Sequence, residues 1–320
     1  MNAIIHWLKK PVTDSVKLYW ELLKVMVPIM IVVRLGVEFG MIEHVARLFT
    51  PFMDLVGLPA EAGIIWTTAM LVNIYAGMVT LIALLPEAPM SVAQITVLGS
   101  MILIAHSLPI EQRIVQKAGP SFIATTLLRV VGALVYGAIL NAIYQAFNFL
   151  QDNATISWLP QTEVDAGWAQ WSIDSAIQLF SIFWIILVLV VLLKILEILK
   201  VTDFISKLLS PVLGLMGISE KAIPVTMIGV MLGLGYGGAL IIREAKEGNM
   251  SGRDIFLSLS FMSLFHSMIE DTLLIFALGA DLTGILIGRF IFSFIVVILL
   301  SQLITRMPEQ TFNRLLFRKT

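Results

Sequence analysis

The sequence predicts an all-α polytopic membrane protein made of two inverted repeats, each of about three crossings plus one re-entrant helical hairpin. Composition is the first observation behind that expectation. Of 320 residues, 58% are hydrophobic and 13% charged, against about 25% charged in soluble domains. Mean hydropathy is +0.93. Runs without Asp, Glu, Lys or Arg cover Ala62–Pro86, Ala88–Ile110, Val130–Gln151, Ser175–Leu193 and Ala222–Ile242. Each approaches the ~20 apolar residues that carry a helix across a bilayer. A β-barrel would instead show alternating segments of ~10 residues.

A fixed-shift self-match is the second observation, since repeats alter every later reading. At a shift of 160 residues without gaps, Asp14-Ser15 falls on Asp174-Ser175 and Arg34 on Lys194. "RLFTPFMDLVGL" (47–58) lies over "KLLSPVLGLMGI" (207–218), pairing Pro51 with Pro211 and Gly57 with Gly217. Gly77 meets Gly237, Glu87 meets Glu247, and Met90-Ser91 meets Met250-Ser251. His106-Ser107 then meets His266-Ser267, Glu111 meets Asp271, Gly119 meets Gly279 and Arg129 meets Arg289. Leu and Ile coincidences carry little weight; a matched His-Ser pair in a chain of four histidines carries a great deal. The expected units are 1–146, a first repeat with an N-terminal amphipathic segment, a 147–173 extracytoplasmic linker, a second repeat at 174–306, and a basic cytoplasmic tail at 307–320.

Charge placement gives the inversion. Cytoplasmic flanks carry excess Lys and Arg. Lys9, Lys10 and Lys17 mark the N-terminus as inside, and Arg306, Arg314, Arg318 and Lys319 mark the C-terminus likewise. No Lys or Arg lies between Arg129 and Lys194, whereas Asp152, Glu163 and Asp165 sit in the linker. Each copy therefore crosses an odd number of times, as in many secondary transporters. Four hydrophobic segments per copy then require one that does not cross. Asp254–His266 and Ser267–Ala280 are 13–14 residues each, ~20 Å of helix against a ~30 Å hydrocarbon core. The hairpin is expected there, with its tip at His266-Ser267 and a counterpart at His106-Ser107. Arg243, Lys246 and Arg253 would then lie outside, against the charge rule.

"IAHSLPIEQRI" (104–114) and "LFHSMIEDTLL" (264–274) are the polar islands. Ser107 and Ser267 suit helix N-caps, and "SMIE" has capping-box spacing. Beside them stand His106, Glu111 and Gln112 in one copy and His266, Glu270 and Asp271 in the other. The structural alternative is a buried helix start with each histidine on a backbone carbonyl. Intramembrane ionisable groups are nonetheless functional candidates by default, and histidine can bond a solute, carry a proton or ligate a metal. Arg129 and Arg289 either snorkel or tie down backbone carbonyls, or pair with Glu111 and Asp271. "GLGYGGA" (233–239), with Gly235, Gly237 and Gly238, is either a close-packing stripe or an unwound segment placing Tyr236 on the solute. "NIYAGM" (73–78) offers Asn73 and Tyr75 in the other copy.

The stretch "GLGYGGALIIREAKEG…HSMIEDTLLIFALGADLTGILIGR" resembles the Gate, or nucleoside recognition, domain. That family includes inner-membrane proteins, spore maturation proteins and the membrane portion of ferrous-iron transporters, and is related to concentrative nucleoside transporters. The resemblance is strongest over Leu232–Arg289 and extends weakly to the first copy. It implies inverted repeats with re-entrant elements around a solute pathway. The chain has no cysteine and no GxxxxGK[ST] phosphate loop, unlike the GTP-driven iron transporters.

These features point to a permease in the cell inner membrane for a small polar solute, nucleoside-like or an ion, coupled to H+ or Na+. A non-transporting subunit of the spore-maturation type and a divalent-metal permease using His266, Glu270 and Asp271 are the alternatives. No nucleophile–base pair, cofactor motif or basic aromatic patch suggests an enzyme, a cofactor or nucleic acid. A homodimer or partner subunit accords with the class. "MNAIIHWLKKPVTDSV" lacks the regions of a cleaved signal peptide and is expected to stay.

Overall fold

The computed structural model describes residues 2–156, 158 and 167–318, with side chains from residue 10 onward. Glu163, Asp165 and Lys319 of the charge argument lie outside the described residues. Sixteen α-helices and one π turn make up the described chain, with two isolated bridges and no strand among those residues. Four helical stretches are long and apolar enough to cross a membrane: Val92–Lys117, Phe122–Ala146, Trp168–Ile198 and Thr283–Arg306.

The elements recur at the 160-residue shift. α1 (Asn2–Glu38) leads the first copy and is followed by α2 (Met41–Ala46) and α3 (Thr50–Leu55). Next come α4 (Glu61–Leu71), α5 (Ile74–Leu84), α6 (Val92–Ile104), α7 (Leu108–Lys117) and α8 (Phe122–Ala146). The second copy runs through α9 (Trp168–Ile198), α10 (Val201–Leu215), α11 (Ile223–Leu232), α12 (Leu234–Lys246), α13 (Gly252–Leu264) and α14 (Glu270–Ala277). A π turn at Thr283–Gly288 leads into α15 (Arg289–Arg306), and α16 (Glu309–Leu315) ends the chain. Backbone specials repeat too: Gly57 and Gly217, Ser107 and Ser267, and Gly119 and Gly279 all have positive φ.

The leading helices of the two copies pack antiparallel. Tyr19 donates to the Leu179 carbonyl at 2.8 Å and its ring meets Phe183 at 5.2 Å. Further along α1, Arg34 lies over Trp168, earlier in α9, at 5.8 Å. These two helices thus run in opposite directions. The copies also interlock: α8 packs on α13, and the π turn packs on α6.

The helical hairpin is not where the length argument puts it. α6 and α7 do not pack side by side, and neither do α13 and α14; each pair is one helix broken at its histidine. The hairpins are α4–α5 and α11–α12, whose limbs pack along each other. A Cβ on Gly77 would come within 2.6 Å of Ala69 Cβ, and one on Gly237 would strike the Gly229 backbone. Limbs of 10–13 residues, ~15–20 Å long, turn back at Asn73 and at Gly233, whose φ is +97°. Length alone cannot separate a short re-entrant limb from half of a broken crossing; the small residues spaced eight apart across the tip can.

The C-terminal segment is docked rather than a free tail. Ser121 N–H donates to the Leu316 carbonyl and Arg318 N–H to that of Gly119. The linker is partly structured: Val92 and Ala93 donate to Asp152 and Leu150 carbonyls, and Trp158 Nε1 donates to the Ala277 carbonyl at 2.7 Å.

Candidate functional site

α6 and α13 are buried on every side, with unbroken buried runs at Ile95–Ile104 and Ile255–Leu264. Such helices belong to the interior of the bundle. Both stop abruptly at mid-length, and their stops meet. His106 and His266 face each other with Nε2 atoms 3.3 Å apart. His106 Nδ1 lies 2.9 Å from the Ile102 carbonyl and His266 Nδ1 2.8 Å from that of Met262. A carbonyl only accepts, so each Nδ1 carries the proton and each Nε2 presents a lone pair when the ring is neutral.

Two carboxylates complete the ring. Asp271 Oδ2 is 3.5 Å from His106 Nε2. Glu111 Oε1 is 3.5 Å from His266 Nε2 and 3.7 Å from His106 Nε2. Each copy therefore contributes its carboxylate to the other copy's histidine. These carboxylates occupy the first turns of α7 and α14, where the helix dipole favours negative charge.

The serines do not act as expected. Ser107 is the N-cap residue of α7 with φ +50°, but its hydroxyl caps nothing; its N–H instead donates to the Ala69 carbonyl at the end of α4. Ser267 also adopts positive φ, and α14 begins only at Glu270, so the capping box at 267–270 does not form. Met268 N–H donates to the Val230 carbonyl near the end of α11. Left-handed geometry turns the chain at each break and points a backbone donor at a hairpin tip. Both hairpins thereby reach the centre.

Arg129 and Arg289 lie fully buried behind the breaks. Arg129 Nε donates to the Ile104 carbonyl at 2.7 Å, Nη2 to that of His106 at 2.9 Å, and Nη1 to Glu111 Oε2. It clamps both limbs and a carboxylate. Arg289 is loosely held: Nη2 approaches the His266 carbonyl at 3.4 Å and Thr272 Oγ1 at 3.5 Å. Its Nε and Nη1 are buried without a hydrogen-bond partner among the described residues, while its guanidinium rests on Phe265 at 4.7 Å. The π turn just before it widens the helix, and Tyr136 of the other copy donates to the Gly284 carbonyl within that turn at 2.6 Å. π turns often mark functional positions.

Glu270 is set apart from the ring. It accepts from Tyr75 OH at 3.4 Å and lines a cavity of ≈ 1530 Å³. Tyr236, 71% exposed, lines the same cavity, as do Lys10, Lys17, Lys194 and Lys207 and the acidic Asp14, Glu197 and Asp203. Gln112 turns away from the ring, accepting from Thr125 at 2.8 Å. Asn73 caps α5 by accepting from Ala76 N–H. Gly235, Gly237 and Gly238 are helical, not unwound. A Cβ on Gly237 would strike α11 and one on Gly238 would strike Ile114 of α7, so these two are packing residues. Sequence reading missed Gly233, Tyr136 and the π turn. Gly233 had a usable signal, since it pairs with Asn73 at the 160-residue shift and both types suit sharp chain reversals.

The chain is 26% identical over 278 residues to the uncharacterized membrane protein YvoD of Bacillus subtilis (strain 168), a match covering 84% of this chain and 86% of that protein. No family model matches the chain, and no solved structure does. The apolar helices and this relative agree on a multi-pass membrane protein.

Proposed function

We propose that the chain is a permease for a small polar solute or ion, opened alternately to the two sides of the inner membrane by movement of its two hairpins. The observation that carries this is the cavity. It is lined by residues of α1, α9, α10 and α11, by Tyr236 of α12, and by Glu270, the neighbour of ring residue Asp271. A scaffold would favour a dry centre with every polar group satisfied. Here a cavity reaches Glu270, and Arg289 and Gln112 keep buried donors without a partner among the described residues.

Relocating the hairpins strengthens the topology. α11–α12 enters and leaves on one side, which returns Arg243, Lys246 and Arg253 to the side of Lys194 and Lys207. Each copy then has three crossings, α1, α6–α7 and α8 in the first and their counterparts in the second. The N-terminus, C-terminus and cavity mouth all lie in the cytoplasm by the positive-inside rule. The resemblance to Gate domains accords with this arrangement.

The copies are caught in different states. α5 packs along α1, whereas α12 packs on α7 and leaves α9. The cavity lies among α1, α9, α10 and α11, with Tyr236 of α12 on its wall. Exchanging the roles of the copies closes α12 on α9, frees α5 from α1 and opens a matching cavity on the other face. In that exchange Arg289 clamps its own break and Arg129 relaxes.

Thermal unfolding of the detergent-purified protein against nucleosides, nucleobases, organic ions and metal ions tests the reading, with His266→Ala and Asp271→Ala alongside. A ligand at 100 times its Kd adds about 2.7 kcal/mol. A shift present in the wild type and lost in both variants supports the reading; no shift with any solute, and both variants sharply destabilised, would favour a structural subunit.

A further inference from the structure

We infer that His106, His266, Asp271 and Glu111 form a binding site for one first-row divalent transition-metal cation, of the Zn2+ type, bridging the two broken helices. The inference deepens the permease reading by naming the ion class its centre takes.

Both Nδ1 atoms donate to backbone carbonyls, so both Nε2 atoms are acceptors, and they face each other at 3.3 Å. Asp271 Oδ2 and Glu111 Oε1 point into the same space. With the imidazoles neutral and the carboxylates ionised, four acceptors converge with no donor among them. A single shared proton would bridge two of the four and leave the others facing lone pairs; a metal ion satisfies all at once.

The spacing fits. Zinc bonds of ~2.0–2.1 Å in a tetrahedron place ligand atoms roughly 3.3–3.4 Å apart. The neighbouring separations here are 3.3, 3.5, 3.5 and 3.7 Å, and the His106, His266 and Asp271 donor atoms all lie within 4.8 Å of one another. The outer contacts fit as well. Metal-bound histidines ordinarily give their other ring N–H to a carbonyl or carboxylate, as both do here. Glu111 uses Oε2 for Arg129 and keeps Oε1 for the centre. Two imidazoles with two carboxylate oxygens suit Zn2+, Mn2+, Fe2+ or Co2+, whereas Mg2+ and Ca2+ favour all-oxygen sites.

The ligands also explain why the site is shared. His106 and Glu111 belong to the first copy, His266 and Asp271 to the second. An ion there ties the two broken helices together at the point about which the copies exchange roles. Glu270, one residue before Asp271, lines the cavity with Asp14, Glu197 and Asp203.

The test is equilibrium binding of Zn2+, Mn2+ and Mg2+ to the full-length, tag-free protein in detergent, with Co2+ absorption reporting coordination. The expected result is one Zn2+ per chain, a tetrahedral Co2+ spectrum and no competition from Mg2+. His106→Ala and His266→Ala should each weaken Zn2+ binding by more than about 100-fold, beyond the 10–100-fold typical of outer-shell losses. His44→Ala, altering an exposed histidine, should leave it unchanged. Asp271→Asn, close to isosteric, should weaken it by at least about 10-fold, and metal-free unfolding temperatures show that each variant is folded. Wild type binding these ions no better than His266→Ala would overturn the site, including the case of a proton held between the histidines. Uptake into proteoliposomes separates the two claims: metal bound but never transported, with no other solute passing, counts against the permease and leaves the site standing. Another solute transported without metal binding does the reverse.

Discussion

Arg129 and Arg289 occupy equivalent positions 160 residues apart, yet only Arg129 closes its broken helix. It bonds the Ile104 and His106 carbonyls and Glu111. Arg289 reaches only the His266 carbonyl and Thr272, both at 3.4–3.5 Å. The difference coincides with the open side of the molecule, since the cavity is lined by Glu270 beside Arg289's break. Equivalent arginines of the two copies are thus held in two different ways.

That inequality is measurable. Arg129→Ala leaves Glu111 buried without its cation, a loss of about 3–5 kcal/mol. Arg289→Ala loses two long hydrogen bonds and a cation–π contact worth about 0.5–2 kcal/mol. Thermal unfolding in detergent should show Arg129→Ala as clearly the more destabilised. Equal destabilisation would mean that the two clamps are equally closed in solution.

The hairpin packing gives a second contrast within one helix. Gly237→Ala drives a methyl group into the Gly229 backbone and should cost about 1–3 kcal/mol through overpacking. Gly235→Ala meets nothing within 4 Å, and helix propensity favours alanine there by up to about 1 kcal/mol. Unfolding temperatures should move in opposite directions.

Tyr136→Phe tests the link across the copies. It removes the donor to the Gly284 carbonyl in the π turn. An orphaned buried acceptor costs about 1–3 kcal/mol, and membrane hydrogen bonds fall near the lower end. The destabilisation should exceed that of Tyr75→Phe, whose bond to Glu270 is 3.4 Å long and faces the cavity.

Much of this was legible in the sequence because special residues repeat. The His-Ser pairs and the glycines at Gly57 and Gly217 mark equivalent places with equivalent backbone geometry, and the arginines mark equivalent places that are held differently. Glu111, Asp271 and both histidines were candidates because charge inside an apolar tract is costly. What segment length could not give was which short segments fold back. α4 and α7 are both brief and flanked by polar residues, and only packing across Gly77 and Gly237 distinguishes a hairpin from a broken crossing. The cross-pairing of Asp271 with His106 and Glu111 with His266 was equally out of reach, since it depends on how the copies interlock. The π turn before Arg289 leaves no mark in residue type.

The most direct measurement uses the absence of cysteine from the chain. Tyr236→Cys and Ala76→Cys occupy equivalent positions in the two hairpins. Tyr236 faces the cavity, and Ala76 is fully buried with α5 packed along α1. Each single-cysteine protein would be exposed to a membrane-impermeant thiol reagent from one face of the membrane at a time. The account predicts that Tyr236→Cys reacts from the cytoplasmic face and that Ala76→Cys reacts, more slowly, from the opposite face as the copies exchange roles. An Ala76→Cys protein that stays inert from the outer face, while Tyr236→Cys reacts from the inner one, would contradict alternating access and leave a fixed, one-sided structure.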